Sequence, residues 1–310
     1  MEKSEYLELF VKGAVIGHLI GDALGYPYEG VGNLVQYDIE MIAGKHGEPL
    51  GTWTAASGFM LATIANINEY DGIELDDLME KFNDVYLGGY LMCDGECKDI
   101  SYTTSGAIGN FTNGIPLDKC ALVDDTDNDC LLRMLPIGLF YATAPVDDLI
   151  TKAHAVCSLT HSTVLCQTTC AAYCLIIRNI LLQQAEKALE LLNDYYKVKD
   201  MEEHLVALQI LRDYKSQRNP SGRKDICDSF WSAWMCHARN ENDYTHCVVD
   251  AIHLGNDTNG TATLAGALSG LSNGLNDIPA KWLRGLRLTS EVMEISQVFA
   301  NQIVQRILAV

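Results

Sequence analysis

Four glycines recur at every fourth position near the start of the chain: Gly13, Gly17, Gly21 and Gly25, within GAVIGHLIGDALG. The apolar residues around them keep helical spacing from Leu7 to Leu24, which places all four on one face of one helix. A glycine in a helix interior costs about 1 kcal/mol against alanine. Four in register make sense only where another backbone packs very close to that face. Close packing leaves two acids unexplained: Asp22 inside the stripe and Glu29 just beyond the helix end.

The same periodicity runs through the rest of the chain. TVLCQTTCAAYCLIIRNILLQQAEKALELLNDYY is long and free of Gly and Pro; DICDSFWSAWMCHA and SEVMEISQVFANQIVQRILAV are amphipathic. Alternating strand patterns bounded by hairpin turns do not occur. Seven prolines, no Ser/Gly-rich linker and no repeat of 20–50 residues argue for one compact all-α domain over residues 1–310. The stretches near 26–52, 89–100, 112–129 and 214–224 read as loops within it.

The net charge of −19 has the wrong sign for a phosphate-backbone binder, so nucleic acid is not an expected partner. No apolar run of about 18 residues without charge reads as a membrane span, and MEKSEYLELF has acids where a signal peptide has basic residues. A cytoplasmic protein is expected. Eleven cysteines fit that setting. Cys166, Cys170 and Cys174 share one helix face and read as small buried hydrophobes rather than metal ligands. Cys93 and Cys97 form a weaker pair in a loop.

Three more stretches exceed what helix packing needs. GTWTAASGFMLATI, residues 51–64, starts a helix at the N-cap Thr54, with Ala55 and Ala56 in its first turn. In DNDCLLRMLPIG, residues 127–138, a polar loop meets a helix and Arg133 interrupts an apolar run; a buried arginine needs a carboxylate or carbonyl partner. In LGNDTNGTATLAGALSGLSNG, residues 254–274, a Gly/Asn/Asp/Thr loop enters a helix of small residues. Asp125, Asp127 and Asp129 in VDDTDND open like a calcium loop, but Cys130 and Pro136 stand where its Gly and Glu belong.

Taken in order, these stretches resemble the ADP-ribosylglycohydrolase family. GDALG at 21–25, Asn128 to Pro136, Thr160–His161, Gly255 to Gly260 with Ala265–Gly266–Ala267, and Ile278, Pro279 and Trp282 match its motifs over nearly the whole chain. The resemblance implies an all-α bundle that holds two Mg²⁺ ions and cleaves ribosyl–protein bonds. It implies metal ligands at Thr54, Ser57, Asp257 and Thr258. It implies catalytic roles for Glu29 and Asp257, and ligand contacts at Asn128, Asp129, His161, Asn256 and Asn259.

The sequence departs from that pattern where it matters. The family's TDDT is TAAS here, so Ala55 and Ala56 replace two aspartates; Asn259 and Gly260 replace the last Asp and Thr of DTDT. Mg²⁺ wants about six oxygens in an octahedron. Alanine offers none, and asparagine offers a neutral one. The expectation is therefore an absent or weak two-metal centre, with no cofactor, or Mg²⁺ at a residual site. Asp129, where the family has a glycine, puts a negative charge beside a bound phosphate. A protein that binds ADP-ribose, a related nucleotide, an ADP-ribosylated protein or a protein partner without turnover is the first reading. A hydrolase with a reduced metal site and an inhibitor or immunity-type protein acting through its acidic surface are the alternatives. With the acids gone, the N–H groups at the two helix starts are expected to be free to hold an anion.

Overall fold

The computed structural model describes residues 2–32, 34–121, 125–184 and 187–309. The chain is 69% helical, and no strand occurs among the described residues; Asp127 and Asp225 form an isolated antiparallel bridge. The fold is all-α, as the periodicity predicts.

The glycine stripe finds its backbone. The first helix, Lys3–Gly25, runs along Thr258–Asn273 for its whole C-terminal half. A Cβ on Gly13 would lie 2.3 Å from the Gly270 carbonyl oxygen, one on Gly17 2.4 Å from that of Gly266, and one on Gly21 2.1 Å from that of Ala262. A Cβ on Gly25 would lie 2.5 Å from the Asn259 Cα. Gly266 and Gly270 answer with the same closeness, so small residues from both helices share the seam. Tyr244 clamps it from the side, its hydroxyl donating to the Gly17 carbonyl at 2.9 Å.

Around this pair the other helices bury one contiguous apolar core that reaches from Val11 to Ile303. Val164–Leu181 is its most apolar member. That helix is long and apolar enough to cross a membrane by length and composition, although it is not the uncharged apolar run that the sequence reading excluded. Its single charge, Arg178, comes only in the last turn. Two thirds of it (67%) is buried against the protein, the position of a core helix. The Gly- and Pro-free stretch that begins with it is also not one helix. Gln183 takes a left-handed backbone (φ 53°), and a new helix, Ala188–Val198, follows, with residues 185–186 outside the described set.

Candidate functional site

The C-terminal end of the first helix, the start of Ala55–Tyr70 and the start of Thr258–Asn273 meet at one junction. At its base stands Asp22, completely buried. Its carboxylate accepts four hydrogen bonds: from the Thr54 N–H and hydroxyl at 2.9 Å each, and from the Ser57 hydroxyl at 2.7 Å and N–H at 3.2 Å. Burial pushes its pKa up to about 6, and these four bonds hold it from rising further. The acid inside the glycine stripe thus fixes the helix start opposite it.

Ala55 and Ala56 are buried as well. The expectation that the N–H groups here are free is overturned. Ala55 donates to the Lys98 carbonyl at 2.8 Å, Ala56 to the Thr54 hydroxyl at 3.3 Å and Ser57 to Asp22. On the other helix Asp257 caps Gly260 at 3.3 Å. Backbone amides at the Ala55 helix start have no capacity left for an anion.

Above this floor, acids and two lysines interleave. Lys45 pairs with Glu29 and lies 3.8 Å from Asp99. Lys224 lies 3.6 Å from Asp129. Burial opposes the charge on Lys224, yet the carboxylates of Asp129, Asp257, Asp99 and Asp127 raise its pKa, so it stays a cation. Asp257 is pushed up to about 6 by burial, against the pull of Lys224 and an Asn128 hydrogen bond. Asn259 bridges the two sides, its amide donating to Asp99 at 3.2 Å and reaching the Thr54 hydroxyl at 3.5 Å. The Asn128 amide donates to Asp257 at 2.5 Å and to Ser229 at 2.8 Å. The carbonyl oxygens of Asn128 and Asn259 are buried without a donor among the described residues. Cys97 stands beside Asp129 and Asp99, but burial and then these charges push its thiol up to about 12, which removes it as a thiolate nucleophile.

The loop before Cys130 is pinned rather than open. Asp125 accepts from the Asp127 N–H at 3.1 Å and Asp127 from the Asp129 N–H at 3.0 Å. Asp129 anchors the helix Tyr102–Thr112, accepting from the Ser101 N–H and the Thr104 hydroxyl at 3.0 Å each. Of the calcium-like stretch, Val123 and Asp124 lie outside the described residues. His161 is fully buried with both ring nitrogens engaged, by Asp127 at 2.9 Å and Thr160 at 2.7 Å. Burial works against the Asp127 carboxylate, but its hydrogen bond to His161 keeps it well below the usual carboxylate range.

Of the residues singled out from the sequence, Glu29, Thr54, Ser57, Asn128, Asp129, Asp257 and Asn259 converge on this junction. Thr258 is buried there, but its hydroxyl donates to the Gly25 carbonyl at 2.7 Å. Asn256 is exposed in a left-handed backbone (φ 58°), its amide turned to the Ser221 carbonyl at 3.0 Å. His161 stands behind the loop. Arg133 finds the predicted carbonyl, that of Val156 at 3.4 Å, along with the Thr160 hydroxyl. Lys45, Asp99 and Lys224 escaped the sequence reading. Each sits in a loop, where no periodicity announces a side chain.

An all-α fold with a carboxylate-lined junction at the ends of its glycine-packed helix pair defines a known class. The chain belongs to the ADP-ribosylglycohydrolase family, whose profile matches residues 4–308. It is 22% identical over 301 residues to an ADP-ribosylarginine hydrolase Tri1 of Serratia proteamaculans (strain 568), covering 92% of this chain and 77% of that protein. To an ADP-ribosylarginine hydrolase Tri1 of Pseudomonas putida (strain GB-1) it is 21% identical over 296 residues, covering 92% and 76%. A solved structure described as an ADP-ribosylglycohydrolase-related protein complex superposes with a TM-score of 0.79 at 22% identity, covering 96% of this chain and 99% of that one.

Proposed function

We propose that this chain binds an ADP-ribosyl ligand, free or on a protein, and has lost the two-magnesium hydrolysis that the family resemblance implies. The observation that carries this reading is the pair of lysines. Lys45 and Lys224 supply positive charge among Glu29, Asp99, Asp129 and Asp257. Clustered carboxylates elsewhere need divalent cations for that balance.

As we read the donor set, it does not fit two octahedral ions. The Thr54 and Ser57 hydroxyls donate to Asp22, and Ala55 and Ala56 bring no oxygen. Among the described residues, no three carboxylates here come within 4.8 Å of one another. A ribose suits the site better. Its hydroxyls are donors for the orphaned Asn128 and Asn259 oxygens, and the lysines attract the attached phosphates.

Calorimetry with ADP-ribose tests this in EDTA and in millimolar Mg²⁺. The same affinity is expected in both. Lys224→Met should weaken binding about tenfold or more, since one hydrogen bond to a charged group contributes about 1.5–3 kcal/mol. No ADP-ribose should be released from ADP-ribosylated arginine protein. Binding or turnover that requires Mg²⁺ would instead establish the second reading, a hydrolase with a reduced metal site. Restoring Ala55→Asp, Ala56→Asp and Asn259→Asp together should create Mg²⁺ binding that the parent lacks.

A further inference from the structure

Behind the junction, thiols from three helices converge. Cys130 lies on Asp129–Leu132, Cys157 in the last turn of Val146–Ser158, and Cys170 on Val164–Leu181. Their sulfurs all lie within 4.8 Å of one another, and those of Cys130 and Cys170 are 3.7 Å apart. All three residues are completely buried. Cys166, one turn before Cys170, interacts with the Cys130 thiol, but its sulfur stands outside that 4.8 Å group and donates to the Asp125 carbonyl at 3.6 Å. A helix stripe alone does not make this cluster. Cys174 continues the stripe, but its thiol turns to the Met134 carbonyl at 3.6 Å, whereas Cys130 and Cys157 come from other helices.

A tetrahedral zinc site with Zn–S bonds of about 2.3 Å has sulfurs roughly 3.8 Å apart. The closest pair already has that separation. A second observation concerns charge. Arg133 follows the helix that carries Cys130 and bonds the carbonyl of Val156, the residue before Cys157. It is fully buried; its Nε and Nη1 have no hydrogen-bond partner, and no carboxylate pairs with it among the described residues. Zn²⁺ with three thiolates carries one net negative charge, and with four, two. A buried guanidinium on the same segments offsets such a charge.

We propose that Cys130, Cys157 and Cys170 form a closed structural site for a thiophilic cation, Zn²⁺ in the first instance, with Cys166 turning in from the Asp125 carbonyl as the fourth ligand. The ion displaces one proton from each ligating thiol, and nothing is oxidised or reduced. With every ligand buried, the site has no open position for a substrate. It ties the Asn128–Asp129 wall of the junction to the core.

Cobalt reports directly on such a site. The full chain, purified under reducing conditions and equilibrated with Co²⁺, should show thiolate-to-metal charge-transfer absorption, and Zn²⁺ should displace it at about one ion per chain. Cys157→Ser and Cys170→Ser should each abolish the band, while Cys247→Ser, buried against the Ala265 carbonyl, should keep it. Folded parent protein that shows no band, or that takes up Co²⁺ without one, overturns the proposal even if the serine variants fail to fold.

Discussion

Asp22 shows how much one residue can organise. Its carboxylate joins two helices through four donors in a site closed to water. Asp22→Ala leaves two hydroxyls and two N–H groups without their acceptor. A loss on the order of 2–4 kcal/mol is expected from urea denaturation, because unsatisfied buried donors cost about 1–3 kcal/mol each and partly relax. A change under about 0.5 kcal/mol would contradict the role assigned to it. The sequence marks Asp22 as anomalous, since an acid has no place in a packing stripe. It does not reveal which groups the acid serves. Thr54 and Ser57 lie 32 and 35 residues away, and only the folded chain joins them.

At the scale of the element, glycine has two meanings. Gly21 faces the Ala262 carbonyl at a distance no Cβ can tolerate, whereas Gly109, inside the helix Tyr102–Thr112, faces open space. Gly21→Ala should destabilise by roughly 2 kcal/mol or more through overpacking against backbone. Gly109→Ala should stabilise by about 0.5–1 kcal/mol, since it gains helix propensity and meets nothing. Thermal denaturation of the two variants measures both, and equal shifts would refute the distinction. The close-packed face of the first helix was legible because spacing survives in a linear string. The charge arrangement of the junction was legible only where motifs carried it. Lys45, Asp99 and Lys224 take their places from loop paths that tertiary packing decides, and the cysteine cluster needs three helices to bring its members together.

For the whole molecule, buried titratable groups set the response to acid. Burial pushes His18 down to about 3 and His237 to about 4, and burial with His204 pushes His154 to about 3; burial pushes Asp22 and Asp257 up to about 6. Between about pH 6 and 4 the unfolded chain protonates three histidines that the fold keeps neutral. In the same window the fold holds protons on two aspartates that the unfolded chain releases. The unfolded state binds about one proton more, so stability falls as pH falls. The melting temperature should be lower at pH 4.5 than at pH 7, and a rise would contradict this balance.

The seam between the first helix and Thr258–Asn273 also orders events in time. Thr258 meets Gly25 across 233 residues of chain. During synthesis the opening helix leaves the ribosome long before its partner exists, with its glycine face and Asp22 unprotected. Contacts this remote in sequence form late and slowly. The helices in between can collapse first, and the junction closes only when the second small-residue helix arrives. Slow translation near residue 260, or a chaperone that shields the opening helix, would therefore act on the yield of finished sites more than on the rest of the fold.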